Sequence, residues 1–398
     1  MGVFILGQFG RFELPLGKAI YFQDIILSLF LAVFFFEKPK RILHFLKTCR
    51  LVQLLVILNL WILLTMLFHF QGRELLSPIL YLVRFDVIIL FGRSLYTLLR
   101  KKIITSLQVE TGVSLAIAGV TVSGLLQYVF VPDTRFLKLL GWDDHYYRLI
   151  STIFDAGFTG MILVIGCILG MLSILRMIAP AQEKKGEKIH TQRRLFLSLS
   201  FFTLTSGALL LTYSRASYVA FATAILYLIV LTRKRSLFLL VMLMAGLLFL
   251  LPRPGGEGVK LLRTASITAR IDSMTSSVTD FTPVEVLIGK GWYNKKVSEP
   301  TSRMGEFVLP NHSSAPENSY LFVFNSLGLV GVVLWGMLLF GTLHVLSFEK
   351  ETTTVFLAVG VHALFTNTFF HPFILLLLVV ITAKNAVRVL ASSQPEPR

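Results

Sequence analysis

Apolar stretches of similar length recur from one end of this chain to the other, and they constrain its fold more than any other feature. A helix rises about 1.5 Å per residue, so roughly 20 apolar residues cross the hydrocarbon layer of a bilayer. Stretches of this kind fall at 20–36, 52–70, 77–98, 112–131, 153–174, 195–212, 218–231, 237–251, 319–346, 354–370 and 373–389. Eleven crossings follow, within a range of ten to twelve, because residues 1–9 are apolar but too short for a full crossing and read as a re-entrant or half-span piece. Residues 1–9 also have no basic n-region and no small-residue cleavage site, so they do not read as a removable signal. Only 15% of the 398 residues are charged and 55% are apolar, where a soluble domain has about 25% charged. The expected fold is an all-α, polytopic membrane helical bundle forming one domain over 1–398. Within it, 252–317 makes one long, partly helical extracytoplasmic loop.

The net charge of +16 could suggest nucleic acid as a partner, but its distribution gives a simpler account. Lys38, Lys40, Arg41, Lys47 and Arg50 fill one loop, and Arg100, Lys101 and Lys102 the second loop after it. Arg176, Lys184, Lys185, Lys188, Arg193 and Arg194 come next on that side, then Arg233, Lys234 and Arg235. Strongly basic loops alternating with short or charge-balanced ones are the pattern of cytoplasmic loops. The loops at 132–148 and 252–316 therefore face outward, the latter with eight basic and six acidic residues, and the C-terminus lies inside. The partner implied is a lipid bilayer, with no nucleic acid. Cys49 and Cys167 are placed too differently to meet in a disulfide.

Several polar residues sit at the outer ends of the apolar stretches. Arg215 follows Ser214 in a turn so short that its side chain must point along or into the mouth of the bundle. There a guanidinium can fork phosphate oxygens, or simply snorkel to the interface. Arg148 closes the loop at 132–148 beside Tyr146 and Tyr147, either as a ligand group or as an interfacial arginine paired with Asp155. Arg84 and Asp86 lie inside a span, where a charge costs about 2.5–3.5 kcal/mol. Being two residues apart, they cannot share a helix face, so each needs its own partner. Arg263, Arg270 and Arg303 belong to the long loop, where Arg270 precedes Gly289-Lys290-Gly291, itself only weak support for phosphate binding.

Glu317 and Asn318 stand at the mouth of 319–346. They could be a general base with its orienting amide, or simply the acidic, Asn-capped start of a helix. His312 lies upstream of them, and His362 reads as a satisfied polar group within the bundle. No His, Asp and Glu spacing makes a metal site, and Gly166-x-x-x-Gly170 reads as helix packing.

Taken in order, four motifs resemble the bacterial O-antigen ligase / O-antigen polymerase superfamily. They are Gly124-Leu-Leu-Gln127-Tyr128 running on to Arg148 and Phe154-Asp155; Thr212-Tyr-Ser214-Arg215-Ala-Ser-Tyr; Arg270 followed by Gly289-Lys-Gly291; and Glu317-Asn318-Ser-Tyr-Leu with Gly328 and Gly331. The resemblance implies an enzyme at the outer face of the inner membrane. Its donor would be a glycan linked to a polyprenyl (undecaprenyl) diphosphate, and its acceptor a saccharide or lipid-linked acceptor. Arg215, Arg148, Arg270, Arg263 and Arg84 would bind substrate, and Glu317 would take the proton of the acceptor hydroxyl. Asn318 and His312 would assist, with no cofactor and no metal. Ligases of this type carry a histidine where this chain has Glu317, so either the carboxylate or His312 serves as base, or the chain belongs to a polymerase branch. A multi-span solute transporter and a structural subunit of a polysaccharide export complex are the competing classes.

Overall fold

The computed structural model describes residues 2–14, 18–36, 50–178, 188–251, 281–294 and 317–392, with isolated positions between 251 and 317. Cys49, Arg263, Arg270 and His312 lie outside the described residues. A short helix α1 (Gly2–Leu6) and a hairpin of β1 (Arg11–Leu14) and β2 (Lys18–Tyr21) open the chain. Helices α2 (Phe22–Phe36), α3 (Arg50–His69), α4 (Leu76–Arg100), α5 (Ser106–Phe130), α6 (Ala156–Ile178) and α7 (Lys188–Leu211) follow. Then come α8 (Arg215–Thr232), α9 (Leu237–Leu250), the short α10 (Pro283–Ile288), α11 (Ser319–Val345), α12 (Lys350–His362) and α13 (Pro372–Ser392).

A helix coincides with each of the predicted apolar stretches, and among the described residues seven are long and apolar enough to cross a membrane. The exterior confirms the solvent. Leu67, Val230, Phe249 and Leu250 are 71%, 78%, 79% and 78% exposed, which a protein in water would not arrange along helix after helix. The chain is a multi-pass, all-α membrane protein.

Helix α6 is the core. Most of its length is buried, from Ala156 to Leu172, and it packs on α5, α7, α8 and α12. Glycines set the spacing, as membrane helices without a hydrophobic drive between them require. A Cβ on Gly166 would sit 2.7 Å from Ile117 Cγ2, and one on Gly170 3.2 Å from Phe201 Cδ1. The packing reading of this glycine pair therefore holds. Two predicted boundaries move. Helix α6 starts at Ala156 rather than 153 because Phe154 is left-handed and the Asp155 carboxylate accepts the Phe158 N–H at 2.7 Å. Helix α12 stops at His362, eight residues before its apolar stretch ends, and the chain crosses from there to α13 through a polar turn.

Helix α11 is broken at Gly328, whose φ of 65° no helix can hold. A break frees carbonyls, and unpaired ones at membrane depth are tolerated only where protein satisfies them. Here the predicted partly helical loop supplies the partners. A capping box, Thr282 with Glu285, starts α10 against α11. The Lys290 N–H then donates to Asn325 O at 2.7 Å and the Gly291 N–H to Ser326 O at 3.1 Å. Trp61 Nε1 on α3 donates to Leu327 O at 3.0 Å. Gly289-Lys290-Gly291 thus plugs a helix break: α11 carbonyls take the Lys290 and Gly291 N–H groups and Glu285 O takes the Gly289 N–H at 2.7 Å, so these backbone donors are committed within the protein rather than to phosphate.

A methyl at Gly328 would run into the Leu287 carbonyl and lie 2.6 Å from Gly289 N, on top of about 1–3 kcal/mol for a backbone conformation, φ 65° and ψ −166°, that essentially only glycine adopts. Gly328→Ala should therefore lower the unfolding temperature in detergent by several degrees. Gly336→Ala, in the same helix with open space around it, should leave it unchanged or raise it.

Candidate functional site at one end of the bundle

The motif beginning at Gly124 builds the first wall of the site. Gln127 on α5 accepts the Ile150 N–H at 3.0 Å through Oε1, and its Nε2 donates to Arg148 O at 3.3 Å. Ser151 Oγ donates to Val120 O at 2.7 Å. Gly124 leaves the room, since a Cβ there would sit 2.5 Å from Leu149 Cδ2. The segment is thus pinned to α5, and the Leu149 N–H donates to Leu211 O at 2.9 Å, tying it to the last turn of α7.

That tie brings Arg148 to the Arg215 turn. Arg148 is 8% exposed. Its Nε donates to Thr212 O at 3.1 Å and its Nη1 lies 3.3 Å from His145 Nδ1. Asp155 acts as a helix cap instead of the arginine's hydrogen-bond partner. The turn itself ends in Ser214, whose Oγ caps α8, and Arg215 is the first, half-buried residue of that helix. Tyr147, Ser151, Phe154 and Tyr213 all adopt left-handed φ between 50° and 59°. Such backbone costs about 1–2 kcal/mol per residue and gathers where the surrounding structure over-determines it, often at functional sites.

The third wall is the start of α11. Asn318 is its N-cap, with Oδ1 accepting from Tyr320 N–H at 2.8 Å and Leu321 N–H at 3.1 Å, while Nδ2 donates to Leu364 O at 3.0 Å. The capping alternative accounts for this side chain, whose amide oxygen takes both N–H groups. Glu317, one residue earlier, is half-buried at the rim.

A single line of side chains joins these walls. Ser217 Oγ lies 2.8 Å from Ser214 Oγ and 3.2 Å from His362 Nε2. His362 is fully buried, and its Nδ1 is 2.7 Å from Thr368 Oγ1 and 2.9 Å from Thr366 Oγ1. Ser319 Oγ donates to Thr366 O at 3.4 Å, and the Ser319 N–H to Ala363 O at 2.9 Å. His362 is thus the satisfied polar group expected of it, placed where the Arg215 turn meets the start of α11. Of its hydroxyl partners, Ser217 lay within the Ser214-Arg215 motif without a role of its own, and Thr366 and Thr368, in the turn after α12, escaped the sequence reading because isolated hydroxyls carry no spacing signal.

Arg84 and Asp86 each have a partner of their own. Arg84 Nε bonds Asp24 at 2.8 Å, Nη2 donates to Ala19 O at 2.6 Å, and the guanidinium lies over the rings of Tyr21 and Tyr81. Asp86 accepts from Asn59 Nδ2 at 2.8 Å. Arg84 therefore fastens the opening hairpin and α2 to α4. His371 is stacked on Phe158 with ring centroids 4.0 Å apart; burial pushes its imidazole down to about 3. Beneath the site, Trp335 and Phe369 meet edge to face at 5.2 Å. They head an apolar groove of about 260 Å³ that runs between α3, α4, α11 and α13 past Phe85, Ile89 and Leu378. Among the described residues no cluster of His, Cys, Asp and Glu could hold a metal.

This is a membrane protein with a polar site at the helix ends of a helical bundle. Residues 199–336 match the family model described as O-antigen ligase, a stretch containing Arg215, Glu317, Asn318 and Gly328. That match supports the O-antigen ligase/polymerase superfamily and a membrane glycan transferase of that type. No curated protein matches the chain.

The Arg84–Asp24 pair is 12% and 13% exposed, and removing one partner of such a pair costs about 3 kcal/mol or more. Arg84→Met alone should destabilise the protein strongly. Arg84→Met combined with Asp24→Leu should recover a good part of the loss in thermal unfolding in detergent.

Proposed function

We propose that this protein transfers a glycan from an undecaprenyl-diphosphate-type donor to an acceptor hydroxyl at the outer face of a bacterial inner membrane, with its C-terminus in the cytoplasm. One observation carries the reading. The polar line from Arg148 through Thr212, Ser214, Ser217, His362 and Thr366 to Ser319 holds two arginines and Glu317 at the same end of the bundle. By the charge alternation of the loops, that end faces outward.

In this mechanism Arg215 and Arg148 grip the diphosphate and neutralise the charge that builds on it as the sugar–phosphate bond breaks. Glu317 accepts the proton of the acceptor hydroxyl as that oxygen attacks the anomeric carbon in line, inverting it. Asn318 acts by fixing the start of α11, so that Glu317 projects at the rim. The donor is already activated, so no nucleotide is called for. The groove headed by Trp335 and Phe369 suits the apolar tail, because its lining is overwhelmingly apolar and it begins at Phe369, next to the polar turn. Arg270, Arg263 and His312 would join the diphosphate or the acceptor from the long loop. Arg84, committed to Asp24, holds the scaffold.

A broken helix in a multi-span protein also suits a solute transporter, where freed carbonyls coordinate the ion. In α11 the carbonyls of Asn325, Ser326 and Leu327 already accept protein donors, which favours a structural break.

Arg215→Ala should abolish polysaccharide transfer in cells while expression and membrane insertion persist; wild-type polysaccharide in such a strain would overturn the reading. Glu317→Gln should lose most activity and Glu317→His should keep some, in a transfer assay with a lipid-linked donor. Equal activity in all three forms would leave Glu317 as nothing more than the residue before a helix cap.

A further inference from the structure

A second, larger cavity lies at the opposite, basic end of the bundle. It encloses about 560 Å³ between α5, α6 and α7, closed at its inner end by α12 and α13. Its lining is layered in the same way on three helices. The outermost layer is charged, with Glu110 on α5, Arg176 on α6 and Arg194 on α7. One turn deeper each helix presents a hydroxyl, Ser114, Ser173 and Ser198, the last two 2.9 Å apart. Deeper again the walls are hydrocarbon, from Leu115, Ala118, Leu169 and Phe201.

The charged layer is built, not incidental. Glu351 is 2% exposed and bonds Lys384 at 2.5 Å and Arg176 at 2.6 Å, while Glu110 reaches the same two cations at 3.0 and 3.3 Å. The proposed transfer at the other end of the bundle makes no use of this network. It holds Arg176 at the cavity mouth, 45% exposed, with the exposed Arg194 across from it on α7. The lining carries three cations against two anions, beside a stretch, 176–194, with six basic and two acidic residues. Leu107, Leu115 and Leu197, 63%, 61% and 57% exposed, line the open side, so an occupant would enter from the bilayer.

We propose that this cavity is a binding site for an anionic glycerophospholipid of the cytoplasmic leaflet. Its phosphodiester lies against Arg194 and Arg176, its glycerol ester oxygens face the serine layer, and one acyl chain lies along Ala118, Leu169 and Phe201. The succession of charge, hydroxyl and hydrocarbon matches phosphate, glycerol ester and acyl chain in order. Basic pockets between spans on the cytoplasmic side are known to hold such headgroups. The site rests on the membrane placement of the bundle and not on the proposed glycan transfer.

The test is native mass spectrometry of the full chain in detergent, titrated with phosphatidylglycerol, phosphatidylcholine or a polyprenyl monophosphate. Wild-type protein should retain phosphatidylglycerol adducts well above phosphatidylcholine adducts. Arg194→Glu removes a solvent-facing cation without touching the buried network and should weaken phosphatidylglycerol binding by roughly fivefold or more, as expected for a basic residue at an anionic lipid. Ala118→Trp, which fills the hydrocarbon layer, should weaken both phospholipids. Phosphatidylglycerol adducts unchanged in both variants, or a polyprenyl phosphate that displaces phosphatidylglycerol from wild type, would overturn the proposal. Unfolding curves of the lipid-free variants guard against misfolding, and a variant that unfolds is replaced by Arg194→Ala or Ser198→Phe.

Discussion

The contact between Ser217 and His362 is the joint on which the polar end of this bundle turns. In an apolar interior a buried polar group must find partners, since leaving one unmade costs about 1–3 kcal/mol. His362 answers with both ring nitrogens, toward α8 on one side and the turn after α12 on the other. Because Ser217 also sits beside the Ser214 cap and the turn beside Ser319, one imidazole sets the spacing between the arginine turn and the start of α11. Arg148 enters the same assembly through a backbone carbonyl, that of Thr212, so its position follows the turn's shape.

The two ends of the bundle handle charge differently. At the site end, Arg148 is held by the Thr212 carbonyl beside His145, and the loop before it carries its own pairs, Arg135 with Asp133 and Lys138 with Asp144. At the basic end, Glu110, Arg176, Glu351 and Lys384 form one mutually compensating cluster. Buried pairs of that kind gain little net stability over apolar packing, but they fix helices α5, α6, α12 and α13 in register.

Apolar length and loop charge together specified the bundle, and each of the predicted stretches became a helix. Boundaries moved where a side chain, not a hydropathy profile, decided them, as with Phe154 and Asp155 before α6 and His362 at the end of α12. Of the site, Gln127, Arg148, Ser214, Arg215 and Asn318 were legible from their motifs, because a cap, a tight turn or a buried amide leaves a local trace. The partner of Arg84 was not legible. Asp24 is sixty residues away, on another helix, and only the fold brings them together. Gly289-Lys290-Gly291 was legible as a turn but not as a plug, since its acceptors, the carbonyls of Asn325 and Ser326, exist only because Gly328 breaks α11.

The residue at 317 carries one further consequence for the proposed transfer. An imidazole acts as a base in its neutral form, whereas a carboxylate acts as a base while bearing a full negative charge. Next to a diphosphate that charge repels the donor, and at an effective dielectric near 20 two like charges about 4 Å apart cost on the order of 4 kcal/mol. A chain that uses Glu317 therefore needs more cationic neutralisation at the rim than one that uses histidine. Arg148 and Arg215 supply part of it, and Arg263 and Arg270 lie in the loop that leads to Glu317. On this reading those loop arginines offset the carboxylate as much as they hold the donor, so glutamate at 317 and arginines in the preceding loop form one electrostatic unit.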